Sequence, residues 1–179
     1  LVLTVLVCWG VPDAAGPRIQ QLVPQGVRRG GEVTVKLLGP RVGAEPQEIL
    51  FDAPGVSVVK LEPVDGNTLH ATLQVADDSP LGRHAIRLRT ATGVSNLVTL
   101  HVGALESVDE VEPNNSIAEA QAIPLGRTVH GVVKIEDDDL FAVEVAEGQR
   151  VSVEVEGIRL GRTFFDPCLE LLDAGGKTV

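Results

Sequence analysis

Short runs in which every second residue is apolar set the strongest limit on how this chain can fold. "EVTVKL" (32–37), "LHATLQV" (69–75) and "HAIRLRT" (84–90) alternate cleanly. Such alternation puts one set of side chains on a core and the other in water, as in strands with one buried face. Turn-forming clusters interrupt the runs: "RRGG", "DAPG", "DGN", "DDSPLG" and "TATG". The pattern predicts strands near 18–23, 32–38, 48–51, 56–61, 68–75, 84–90 and 96–102. Aromatic residues make up only 3% of the chain and Tyr is absent, so Val and Leu must fill the interior. About seven short strands in one stretch predict an immunoglobulin-like sandwich over 17–103. It lacks the Cys…Trp…Cys core of antibody domains.

Residues 104–109 read as a linker, after which strands are expected again near 128–135, 140–145, 150–156 and 168–172. Between them, Ser116 and Glu119 have the S-x-x-E form of a capping box, predicting a short helical turn through "AEAQAI". Four strands rarely close a stable sandwich. The expected fold is therefore all-β, two tandem β-sandwiches, the second (110–179) incomplete and the chain a fragment truncated at both ends. The opening "LVLTVLVCWGVPDAA" is apolar, too short to span a bilayer, and followed by small residues. It reads as the remnant of a secretory signal peptide over 1–16, the alternative being a buried first strand. Export puts the protein outside the cell, in the periplasm or on the cell surface. Cys8 lies in that leader, and Cys168, set in "DPCLELL", is expected to be a buried, inert thiol.

The formal net charge of −10 is unevenly spread. Nine basic and eight acidic residues balance over 17–103, whereas 104–147 holds eleven acids against Arg127 and Lys134. Phosphate recognition needs a basic surface, so nucleic-acid and anionic-membrane partners are disfavoured and a bound cation is favoured. Much of the excess lies in "EVEPNNS" (110–116) and "EDDDLF" (136–141), with no nearby Lys or Arg to balance either run.

Pro113 restricts Glu112 to extended geometry. Residues two apart share a face of an extended segment, so Glu110, Glu112 and Asn114 can present oxygens to one side. Asp137 and Asp139 are also two apart, just before a strand carrying Phe141. Were the two segments to meet without a cation, each like-charge pair at about 4 Å would cost roughly 1 kcal/mol in water and about 4 kcal/mol at an effective dielectric near 20. A hard divalent ion reverses that sign. Calcium takes about six to eight oxygens, which five side chains plus a carbonyl or water would supply. Magnesium prefers to keep its waters, zinc prefers His or Cys, and the EF-hand loop is missing. The alternative reading of the same residues is a solvated acidic linker, "EPNNS" capping a helix and "EDDD" decorating a hairpin.

The order "EVEPNNSIAEAQAI", "TVHGVVKI", "DDDLFAVEV", "EGQRVSVEV", "LELLDAGGKTV" resembles the bacterial pre-peptidase C-terminal (PPC) domain, over about 109–179. The resemblance implies a jelly-roll-type β-sandwich attached to exported proteins, secreted peptidases among them. It also implies calcium held through an E-x-E-x-N run and a later Asp pair, which here are Glu110, Glu112, Asn114, Asp137 and Asp139. Glu136 departs from the family, standing where Gly is usual. More loosely, the first sandwich with "TATGVSNLVTLHVG" resembles the Ig-like or IPT/TIG-like modules that precede PPC domains in large exported proteins of planctomycete-type bacteria.

Catalytic motifs do not emerge. G-x-S-x-G and H-E-x-x-H are absent from the sequence. His70, His84, His101 and His130 are scattered through expected strands and read as surface or packing residues; His84 and His101 could face each other on neighbouring strands. Phe51 and Phe141 read as core, and Phe164 and Phe165 as buried against the second sandwich, the alternative being an exposed adhesive tip at "RTFFD"; the case for sugar binding is weak. The expected function is a non-catalytic, exported accessory, adhesion or spacer module with calcium stabilising the inter-domain segment. An extracellular protein or matrix component and other domains of the same polypeptide are the partners considered. The alternative is the accessory region of a secreted hydrolase, a peptidase by preference, whose catalytic domain lies outside 1–179.

Overall fold

The computed structural model describes residues 15–134, 137–157 and 166–179, and among these the chain is all β. The leader segment 1–14, Glu136 and the Phe164–Phe165 pair lie outside the described residues.

The first half is a sandwich of two sheets. One runs in the order β1 (Gln21–Val23), β3 (Gly31–Leu38), β6 (Thr68–Val75), β5 (Val56–Asp65), with antiparallel neighbours throughout. The other runs β2 (Gly26–Arg28), β9 (Val98–Gly103), β7 (Gly82–Thr90), β4 (Pro46–Phe51), with β8 (Gly93–Val94) folded back on the end of β7. The alternating runs drive this arrangement. In β6 every second side chain, from Leu69 to Val75, is buried. In β7 the inward set is His84, Ile86, Leu88 and Thr90, while Arg83, Arg87 and Arg89 point outward or to the rim. Leu37, Val35, Leu100 and Val102 close the core between the sheets, and Phe51 and Val58 pack on its edge. Asn96 ties the incoming chain to this body, accepting from the Ile19 amide at 2.9 Å and donating to the Ile19 carbonyl at 3.0 Å.

Two strands were not apparent from alternation. β2 and β8 span three and two residues, too few for a period of two to show. His84 and His101 do not face each other. His84 is a core residue whose Nε2 lies 2.7 Å from the Pro80 carbonyl oxygen. It stands opposite Leu100, whereas His101 stands opposite Arg83, so the two imidazoles belong to opposite faces of the sheet.

β5 forms an edge of the first sheet. Its pairing with β6 shifts register twice, between Val58 and Lys60 and between Pro63 and Asp65.

After β9 the chain passes through Ala104 and Leu105 into β10 (Glu106–Asp109), so the segment read as a linker carries a strand. β10 lies parallel to β12 (Arg127–His130), and β11 (Gln121–Ala122) lies parallel to β13 (Phe141–Ala142). The expected helical turn is a single turn instead. The Ser116 hydroxyl does donate to Glu119 at 2.7 Å, but the chain then enters β11 rather than continuing helically. Residues 150–156 and 168–172, expected as strands, carry no ladder among the described residues beyond the Leu172–Thr178 bridge. Val153, Val155, Leu169 and Leu171 are exposed there, and Cys168 is an exposed free thiol rather than a buried one. Alternation fixes which side chains share a face; a ladder also needs a neighbouring strand.

The halves meet along β2, β10 and β12. Glu106 accepts from Arg28 and from Arg127, each at 3.0 Å. The His130 ring lies over Gly26 so closely that a Cβ there would come within 2.9 Å of Cε1, and its Nε2 is 3.0 Å from the Ser107 hydroxyl. Burial pushes this imidazole below the usual histidine range, against the pull of Asp109.

Candidate metal centre

Backbone hydrogen bonds bring the two acidic segments together. The Glu110 amide donates to the His130 carbonyl at 2.9 Å, continuing the β10–β12 pairing by one residue. Farther on, the Leu140 amide donates to the Asn114 carbonyl at 3.0 Å, which sets Asp139 beside the end of "EVEPN". Gln121 locks the approach, its side chain accepting from the Val111 amide at 2.9 Å and donating to the Asp109 carbonyl at 3.0 Å.

Glu110 is the centre of the cluster. Its Oε1 accepts from the Asn114 side-chain amide at 3.1 Å, and its Oε2 accepts from the Val132 amide at 2.9 Å. Gly131 makes that second bond available, since a Cβ there would lie 2.9 to 3.2 Å from the Glu110 carboxylate. Asn114 is fully buried. With its amide nitrogen turned to a carboxylate, its side-chain oxygen is buried without a hydrogen-bond partner. One oxygen of Asp139 is likewise buried and unpartnered. Burial, reinforced by the Glu110 charge and then by Asp137 and Glu112, pushes the Asp139 carboxyl up to about 6. A proton on Asp139 would allow it to hydrogen-bond to Glu110; two ionised carboxylates offer only acceptors.

Of the five residues singled out by spacing, Asn114 is buried, Glu110 and Asp139 are half-buried around it, and one Asp139 oxygen is buried. Glu112 and Asp137 stand at the cluster's solvent side, each engaged by Lys134. The Lys134 ammonium is 2.6 Å from Glu112 Oε1, and the Lys134 amide donates to Asp137 Oδ2 at 3.0 Å. The hydrogen bond to Glu112, with that residue's charge, raises the ammonium's pKa. The expectation that no cation stands near these runs is thus corrected: Lys134 reaches Glu112 from the far side of a turn, 22 residues along the chain. Sequence spacing does not reveal Gly131, Gln121 or the Lys134 side chain as parts of the site, because each reaches Glu110, Glu112 or their neighbours through contacts ten or more residues apart.

Among the described residues no three His, Cys, Asp or Glu side chains stand ready-made as a metal shell. The donor set still suits calcium in kind. It is all oxygen, and two of its buried oxygens lack protein partners.

No family model matches this chain, and no curated protein does. Among solved structures, the Bacteroides ovatus mixed-linkage glucan utilization locus protein SGBP-B, in complex with a mixed-linkage heptasaccharide, matches with a TM-score of 0.34 and 18% identity. The match covers 56% of this chain and 23% of that one. A likeness of that depth says nothing about what this chain binds.

Proposed function

We propose that this chain is a non-catalytic part of an exported protein, two β modules whose junction is held by calcium through Glu110, Glu112, Asn114, Asp137 and Asp139. The single observation carrying this reading is the buried Asn114 side-chain oxygen with no hydrogen-bond partner, set beside a cluster of carboxylates. Burying an unpaired polar oxygen is costly, and a bound cation removes the cost. The matching pattern of an E-x-E-x-N run and a later Asp pair, through which the sequence resembles PPC domains, supports the same assignment.

When bound, the ion would supply positive charge to carboxylates that otherwise repel one another. The chain's own part is to fix the shell: Gly131 and the Val132 amide set Glu110, and the Leu140 amide sets Asn114 against Asp139. The cluster follows directly on β10, which the Arg28–Glu106–Arg127 bridge ties to the first sandwich. Metal binding there would fix the orientation of one module on the other, suiting display, spacing or adhesion.

Mass action stabilises the bound form by about 2.7 kcal/mol at a hundredfold excess over Kd. Calorimetric titration and thermal melts with calcium or chelator test the reading. A saturable binding heat and a higher melting temperature in calcium are expected, both reduced in Glu110→Gln. Identical melts in calcium and chelator, with no binding heat, would reject it.

A further inference from the structure

We propose that the Lys134 ammonium is an internal placeholder for the divalent ion, occupying Glu112 while the site is calcium-free and leaving when calcium enters. The inference rests on the calcium reading above and assigns the residue that tunes that site's affinity.

Lys134 touches two of the five candidate ligands with different atoms. Its side chain holds Glu112 Oε1 at 2.6 Å, while its backbone amide holds Asp137 Oδ2 at 3.0 Å. The two contacts are separable. The side chain can rotate into water while the amide keeps Asp137 in place. Exposure favours that motion: the Lys134 side chain is 64% exposed, against 32% for Glu112. An exposed ion pair of this kind is weak and easily exchanged. Among the described residues, the other ion pairs leave all five candidate ligands untouched, and Arg127 is committed to Glu106.

A calcium ion drawing on the same carboxylate would place two positive groups side by side, so the ammonium must go. A calcium-free protein therefore keeps Glu112 and Asp137 in position without leaving the cluster wholly unbalanced.

The test is calorimetric titration of calcium into the full chain carrying Lys134, Lys134→Arg, Lys134→Met or Lys134→Glu. Chelator melts would show that each variant is folded. Competition predicts that affinity follows the charge at this position. Lys134→Arg should bind about as wild type does, Lys134→Met about two- to fivefold tighter, and Lys134→Glu tighter again. Raising salt should weaken the difference between wild type and Lys134→Met. A positioning role without competition predicts the opposite sign, with Lys134→Met binding more weakly. Wild-type binding combined with equal or weaker binding by Lys134→Met overturns the placeholder. A wild type that binds no calcium overturns the underlying reading instead, and this proposal with it.

Discussion

Replacing Asp139 by Asn should move stability in opposite directions with and without calcium. In the wild type the native carboxyl is pushed from 3.8 to about 6, chiefly by burial and then by Glu110. Between those two values the native state binds more protons than the unfolded chain, so stability falls as pH rises. The contribution is fully present below about pH 4 and lost by the time pH passes 6. Fully expressed, the displacement corresponds to roughly 3 kcal/mol. Solvent around a carboxyl that remains partly accessible screens this to about 1 kcal/mol. The Asn side chain is neutral at every pH and can donate to Glu110, as protonated Asp139 could. In chelator at pH 7.5, Asp139→Asn should therefore melt about 2–4 °C above wild type, the two converging at pH 4. In millimolar calcium the order should reverse, because the variant has lost an anionic ligand. Thermal melts followed by circular dichroism from pH 4 to 8 provide the assay. A variant that melts at or below wild type in chelator at pH 7.5 would refute the destabilisation attributed to burial of the Asp139 carboxylate beside Glu110.

Glycine positions make two further tests. Gly131→Ala puts a methyl group within 2.9 Å of the Glu110 carboxylate, so the side chain must swing away. The chelator melt should change by less than about 1 kcal/mol, while titration should show calcium binding at least about tenfold weaker, the equivalent of 1.4 kcal/mol. Gly26→Val drives the His130 ring from its seat against β2. It should cost about 1–2 kcal/mol and speed proteolytic cutting between β9 and β10, read from fragment masses.

How far the sequence could be read depended on the range of the interactions concerned. The first sandwich was largely legible because β3, β6 and β7 are long enough for a period of two to appear, and the same side chains form the core. β10 reads as linker in sequence because its partner, β12, lies beyond a turn and β11. In 150–156 the alternation is as regular as in β6, yet no neighbour is present among the described residues to turn it into a ladder. At the candidate centre, spacing places Glu110, Glu112 and Asn114 on one face and pairs Asp137 with Asp139, and Asn114 does donate to Glu110. Spacing could not show that Lys134 would fold back on Glu112, or that Gly131 would leave room for Glu110. Ser116 and Glu119 meet side chain to side chain, without the reciprocal side-chain-to-backbone bonds of a capping box, and that contact does not nucleate a helix against the pairing of β11 with β13.

The irregular edge of β5 bears on life at high density. A straight strand with one free side invites a neighbour's strand to join it, and crowding makes such encounters frequent. Here the two register shifts bend the free side, Pro63 offers no amide to a newcomer, and Lys60 and Glu62 hold charge along it. Many copies can therefore stand shoulder to shoulder without this margin stitching them into a shared, growing sheet.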